Sequence, residues 1–209
     1  MNSAPQHLET LLKNARHPEL ARLVNDKAIQ RGTFTLASGR QSTYYCDGKL
    51  VSFAGDGVAL IAEAILHEIR DLDIDAIGGM DMGATPIVSA VALRAHQLGK
   101  ELPSFIVRKP SEVKAHGTKK NIEGPLPSAP SRVVIVDDVV TSGGSILQAI
   151  DAVRERGHTV VLAISVLDRD GGGAEALKTK GVPYRALVTI SELGIVNDEP
   201  GAMRDERTK

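Results

Sequence analysis

The chain has 209 residues, 42% hydrophobic and 24% charged, which fits one globular α/β domain long enough to bury a core. Twenty-five Lys and Arg face 26 Asp and Glu, and the resulting net charge of −1 provides no general field for nucleic acid. A single cysteine, Cys46, excludes an intrachain disulfide and a cysteine-built metal cluster, and suits a reducing compartment.

No apolar run reaches the length of a membrane span. The first seven residues lack the basic and apolar regions of a signal peptide, so a cytoplasmic protein with no membrane or nucleic-acid partner is expected. Residues 6–31 show helical spacing of Leu8, Leu11, Leu12, Leu20, Leu23, Val24 and Ile29, broken at His17-Pro18 and ended at Gly32. A hairpin-like pair of segments, 33–36 and 43–46, hinges at Ser38-Gly39. The spacing then predicts a helix over 58–72, a strand over 75–79, a helix over 86–98 and a strand over 104–107. A strand at 133–136, a helix over 146–156, a strand over 160–167, a helix over 174–180 and a strand over 186–190 follow. This alternation predicts a parallel sheet with right-handed crossovers. The chain reads as one domain, 1–209: an N-terminal helical and hairpin hood about 1–54, a core about 55–195, and a charged tail about 198–209 expected to be mobile.

Residues 133–145 carry the sharpest chemical signal. Val133-Val134-Ile135-Val136 suits a strand buried on both faces. Asp137 and Asp138 follow at its carboxyl end, where open α/β sheets place their ligands. After Val139 and Val140, the run Thr141-Ser142-Gly143-Gly144-Ser145 leads into a helix whose apolar face is Ile146, Ala149, Ile150 and Val153. Small residues, hydroxyls and backbone N–H groups at a helix N-terminus form a phosphate cradle. An anion site beside an acidic pair suits a phosphorylated sugar. A receiver domain would place such a strand near its start, and an ATPase would need a Gly-x-x-x-x-Gly-Lys-Ser/Thr loop that the chain lacks.

Residues 109–131 hold Pro110, Gly117, Gly124, Pro125, Pro127 and Pro130 and no apolar periodicity. A loop of this length inside a compact domain is usually functional or disordered. The first half of this segment is basic: Arg108, Lys109, Lys114, His116, Lys119 and Lys120 stand against one acid, Glu112, which suits a polyphosphate.

The thirteen-residue run resembles the phosphoribosyl pyrophosphate (PRPP) motif of the type I phosphoribosyltransferases. Arg108-Lys109-x4-Lys114-x-His116-Gly117, with Ile122-Glu123-Gly124 after it, is similar to the catalytic loop of the orotate-specific members. The stretch from Gly32 to Asp47, with Phe34, Ser38, Gly39, Arg40 and Tyr44-Tyr45, is similar to their opening, and Leu167-Asp168-Arg169 matches the place where they bind the orotate carboxylate. The resemblance covers about residues 32 to 195. The chain departs from it in having four residues, 110–113, where the common pattern has two, and Ala37 and Gly83 where many members carry lysine. The loop Gly78 to Pro86 must therefore bind pyrophosphate mainly through backbone N–H groups.

The resemblance implies the type I phosphoribosyltransferase fold. It also implies transfer of the 5-phosphoribosyl group from PRPP to orotate, giving orotidine 5′-monophosphate and pyrophosphate in pyrimidine synthesis. Catalysis is expected from Lys109, Lys114, His116 and Asp138. PRPP is expected on Arg108, Lys109, Lys114, His116, Asp137, Asp138, Val139, Val140, Thr141, Ser142, Gly143, Gly144 and Ser145. Orotate is expected on Thr141, Arg169, Tyr44 and Tyr45. The expected cofactor is Mg²⁺, without direct protein ligands, held by PRPP and water near Asp137 and Asp138. Relatives work as homodimers with shared active sites, and the same is expected here. Rival readings are a purine phosphoribosyltransferase on the same PRPP site and a PRPP-sensing regulator. The regulator would need a basic module.

Overall fold

In the computed structural model, the described residues are 3–35, 41–109 and 121–196. The chain opens with α1 (Ser3–Asn14) and α2 (Pro18–Lys27), then β1 (Ile29–Thr35), β2 (Gln41–Cys46) and the short α3 (Lys49–Ser52). From there helices and strands alternate except at the successive strands β4 to β6: α4 (Gly55–Ile69), β3 (Ala76–Met80), α5 (Thr85–Gln97), β4 (Ser104–Val107), β5 (Ile122–Glu123), β6 (Arg132–Val140), α6 (Gly144–Arg154), β7 (Thr159–Asp168), α7 (Gly173–Thr179) and β8 (Tyr184–Thr189).

The main sheet has the order β5-β4-β3-β6-β7-β8, with every neighbouring pair parallel except β4 and β5. Strand β6 shows why an unbroken apolar run is needed in its middle. Successive side chains point to opposite faces, and both faces are covered. Val134 and Val136 pack into a core with Ile61, Ile65, Ile87 and Val91 of α4 and α5. Val133 and Ile135 pack on the other face with Ile146, Ile150 and Val153 of α6 and Leu177 of α7. The N-terminal elements join the first of these cores through Leu12, Leu20, Val24, Tyr44 and Val51.

Two predicted boundaries are corrected. The first helical segment does not run to Gly32. Ala28 closes α2 by donating its N–H to the Val24 carbonyl, and Ile29 begins β1, paired with Cys46. One buried isoleucine fits a helix face or a strand face equally, so spacing alone misplaces it. The motif strand is also longer than 133–136: β7 continues the ladder through Asp137↔Ser165 and Val140↔Asp168, which keeps the acidic pair within the strand. The antiparallel hairpin of β1 and β2 forms as expected, with an irregularity between Arg31 and Phe34. Its expected hinge, Ser38-Gly39, lies outside the described residues, as does the charged tail. No helix among the described residues is long and apolar enough to cross a membrane.

Candidate active site

The carboxyl ends of β3, β6 and β7 place three loops side by side. On β6, Asp137 is buried and Asp138 half-buried. One Asp137 carboxylate oxygen accepts the Asp138 N–H at 3.0 Å, and one of Asp138 accepts the Val139 N–H at 2.9 Å. Burial pushes the Asp137 carboxyl well above the ordinary range, and the adjacent Asp138 charge adds to the rise.

Thr141 to Gly143 then turn into α6. Gly143 adopts φ +83°, a conformation that favours glycine, and precedes the first turn of the helix. Ser142, Gly144 and Ser145 are exposed, so this turn opens to solvent. From behind, residues 171–173 brace it: Gly173 donates its N–H to the Thr141 carbonyl at 2.8 Å. A β-carbon on Gly171 would lie 2.6 Å from Thr141 Cγ2, and one on Gly173 2.3 Å from Val140 Cγ1. The cradle therefore needs glycines in the loop behind it as well as in its own sequence.

Two further glycines approach the acidic pair. Gly83, in the turn between β3 and α5, abuts the Asp138 carboxylate. Gly48, just before α3, would bring an added β-carbon to 2.7 Å from Val139 Cγ2 and 3.3 Å from Asp138 Oδ2. Sequence reasoning did not single out Gly48; its only signal is its place next to Asp47 in the opening motif. The same β3–α5 turn contains a cis peptide bond at Asp81-Met82, and Thr85 donates its hydroxyl to Asp81 Oδ1 at 2.7 Å.

The basic loop springs from a closed base. Arg108 donates its N–H to the Asn121 carbonyl at 2.8 Å, and its Nε to Glu123 Oε1 at 2.6 Å. Lys109 is exposed, and its charge reaches Asp137, lowering that carboxyl against the larger effect of burial. Lys114 and His116 lie outside the described residues.

Arg169 follows β7, and its N–H donates to the Val140 carbonyl at 2.9 Å, bringing it beside the cradle. Its Nε donates to the Tyr44 phenol oxygen at 3.1 Å, and its guanidinium carbon stands 5.0 Å from the centre of the Tyr44 ring. Tyr44 is 2% exposed and Tyr45 45%, because β2 turns alternate residues to opposite sides. Tyr45 packs near Phe34, with ring centroids 5.9 Å apart. Burial pushes the Cys46 thiol up to about 11, with Arg169 opposing, so it stays protonated at neutral pH and behaves as a packing group.

The structure thus brings Asp137, Asp138, Val139, Val140, the Thr141–Ser145 turn, Arg169 and Tyr44 into one neighbourhood. Arg108 and Lys109 stand at the stem of the basic loop.

Residues 54–184 match the family described as a phosphoribosyl transferase domain. The chain is 40% identical over 183 residues to an orotate phosphoribosyltransferase of Rhodopseudomonas palustris (strain BisB5), a match covering 86% of this chain and 97% of that protein. It is also 40% identical over 177 residues to an orotate phosphoribosyltransferase of Streptomyces avermitilis, covering 84% of this chain and 96% of that protein. Among solved structures it is similar to the orotate phosphoribosyltransferase of Mycobacterium tuberculosis in complex with PRPP. That match has a TM-score of 0.72 and 33% identity, and covers 86% of this chain and 99% of that one.

Proposed function

This chain belongs to the orotate phosphoribosyltransferases within the phosphoribosyl transferase domain family, and we propose how its residues carry that activity. The reaction moves the 5-phosphoribosyl group of PRPP to orotate, giving orotidine 5′-monophosphate and pyrophosphate, a step of de novo pyrimidine synthesis. The observation that carries the assignment of roles is the junction of β6 and α6. There a carboxylate pair stands directly before an open turn of small residues at a helix N-terminus.

The backbone N–H groups and hydroxyls of Thr141 to Ser145 take the 5′-phosphate. Asp137 and Asp138 take the ribose hydroxyls. Arg169 pairs with the orotate carboxylate, next to Thr141, and of the two tyrosines the exposed Tyr45 offers an aromatic face to the flat base, while the buried Tyr44 backs Arg169. Breaking the bond from C1 to pyrophosphate develops positive charge on the ribose, as in glycoside cleavage, and negative charge on the leaving group. Arg108 and Lys109, at the stem of the basic loop, are assigned to the basic clamp on that leaving group. Lys114 and His116 are assigned to the same clamp from sequence, His116 as a residue type suited to proton transfer.

Among the described residues no three His, Cys, Asp or Glu converge to cage a metal. The adjacent carboxylates of Asp137 and Asp138 fit a Mg²⁺ ion held chiefly by oxygens of the substrate and water. Bound there, the ion supplies charge neutralisation for the departing pyrophosphate. We infer a homodimer whose basic loops cross to the neighbouring subunit. Its support is the joined base at Arg108 and Asn121, which have a dozen residues, 109–120, between them in sequence.

The test is depletion of orotate with PRPP and Mg²⁺, repeated with EDTA and with adenine and xanthine as competing bases. Orotate is expected to be consumed, and only with metal. Preference for a purine would overturn the assignment of the base site.

A further inference from the structure

We propose that Tyr44 is a positioning residue for base recognition: its phenol oxygen sets the direction of the Arg169 guanidinium. Seating of the N-terminal hairpin and recognition of an anionic base are thereby coupled. The inference rests on the reading of Arg169 as the partner of the orotate carboxylate.

The main chain around Arg169 is fixed from the sheet below. The Arg169 N–H donates to the Val140 carbonyl at 2.9 Å, and the Ile190 N–H donates to the Asp168 carbonyl at 2.8 Å. The Asp170 N–H donates to Asp168 Oδ1 at 2.8 Å, holding Asp170 at φ +51°. Asp168 is itself buried beside the Tyr184 hydroxyl, which lies 2.6 Å from Ser165 Oγ. This frame places the Cα of Arg169 but leaves several torsions before the guanidinium. A long side chain that must be ordered when the ligand arrives weakens binding through lost rotamer freedom.

Tyr44 supplies that order beforehand. It belongs to β2, opposite Arg31 in the hairpin and 125 residues from Arg169 in sequence. Its ring is buried in the core that the N-terminal helices share with α4 and α5, so it is a rigid partner. Its face takes the guanidinium by a cation–π contact while its oxygen accepts the Nε hydrogen. A guanidinium can meet a carboxylate end-on, through both Nη atoms, or side-on, through Nε and one Nη. Engagement of Nε by Tyr44 favours the end-on approach and fixes the plane in which the carboxylate of the base must lie. The phenol oxygen thus acts on the base through Arg169.

The test uses Tyr44→Phe, which keeps the buried ring and its cation–π contact and removes the oxygen. Loss of one hydrogen bond to a charged group should raise the KM for orotate about tenfold, leaving the KM for PRPP and the Tm nearly unchanged. Tyr44→Phe added to Arg169→Ala should cause no further loss. Inhibition by uracil, which lacks the carboxylate, should be unaltered by Tyr44→Phe. Equal rises in both KM values, additive losses in the double variant, or weakened uracil inhibition would overturn the proposal. A silent Tyr44→Phe beside a damaging Arg169→Ala would sink the Tyr44 role alone. An Arg169→Ala enzyme with unaltered orotate KM would remove the base-site reading, and the Tyr44 role with it.

Discussion

A β-carbon added to Gly83 would sit 2.3 Å from Oδ1 of Asp138, closer than any real contact allows. The turn between β3 and α5 therefore lies directly on the carboxylate assigned to the ribose. With this backbone, a lysine at position 83 has no room for its first carbon. Gly83→Ala should push the short Asp138 side chain out of place while disturbing little of the core. Misplacing a reacting group by about 1 Å costs on the order of a hundredfold. A fall of roughly that size in kcat/KM for PRPP is expected, with Tm close to wild type. Unchanged kinetics would show that Asp138 need not hold this position.

The acidic pair separates function from stability. Asp138→Asn should abolish most turnover without unfolding the protein, measured as kcat beside a thermal melt; near-wild-type turnover would remove its role.

Asp137 should behave differently, because burial raises its carboxyl above the ordinary value. A carboxyl with a raised folded pKa holds its proton longer in the folded state than in the unfolded one. The folded state is then progressively disfavoured as pH climbs from the ordinary carboxylate value towards the raised one. Asp137→Asn removes that penalty. Its Tm should exceed wild type at neutral and alkaline pH and converge with it in acid, even as activity falls. A Tm difference independent of pH would refute this account.

Most of the sheet is legible in sequence because its strands are buried on both faces, and Val133 to Val136 cannot be solvated in any other arrangement. The cradle is legible for a related reason: only small residues let a backbone turn expose its N–H groups. What escapes is pairing and approach. Strand β5 is two residues long, and its partners are Ile106 and Val107 far back in the chain, so no local period marks it. The contacts of Gly48 and Gly83 with the acidic strand exist only in three dimensions. Alternation says that Tyr44 and Tyr45 face opposite ways, yet nothing local says which faces inward. The inward one proves to be Tyr44, beneath Arg169.

An ion cluster around the buried Glu68 ties the N-terminal helices to the rest of the fold. Glu68 accepts Nε and Nη2 of Arg16 at 2.7 Å each and Nη1 of Arg185 at 3.0 Å. Burial alone would raise the Glu68 carboxyl, but the hydrogen bonds and charge of Arg16, with Arg185, hold it below its usual value. A lowered folded pKa gives stability that is complete above the unfolded value and lost as pH falls through the folded one. Wild-type Tm should therefore drop on acidification below about pH 4.5 more steeply than that of Glu68→Gln. The variant should be less stable at neutral pH by roughly 1–3 kcal/mol. Parallel Tm curves from about pH 3 to 7 would show that the cluster does not couple to pH.

In a dimer, each basic loop serves either its own subunit's site or its partner's. Arg108 and Asn121 are joined at its base, so the dozen residues between them must go out and come back. At about 3.3–3.6 Å per extended residue, such an arm reaches at most some 20 Å from its stem. That is enough to cross a two-fold interface that runs beside the site, and a two-fold dimer would present two such arms reciprocally. Lys109→Ala damages the arm, and Asp138→Asn damages the site it covers, so each protein alone should be inactive. Mixing the two and allowing subunits to exchange makes heterodimers. If the arm acts in trans, one site of the heterodimer carries both lesions and the other carries none. Activity should then return towards half the wild-type value per heterodimer, followed by orotate depletion after mixing. If exchange is confirmed by a mass tag and no activity returns, each arm closes over its own subunit.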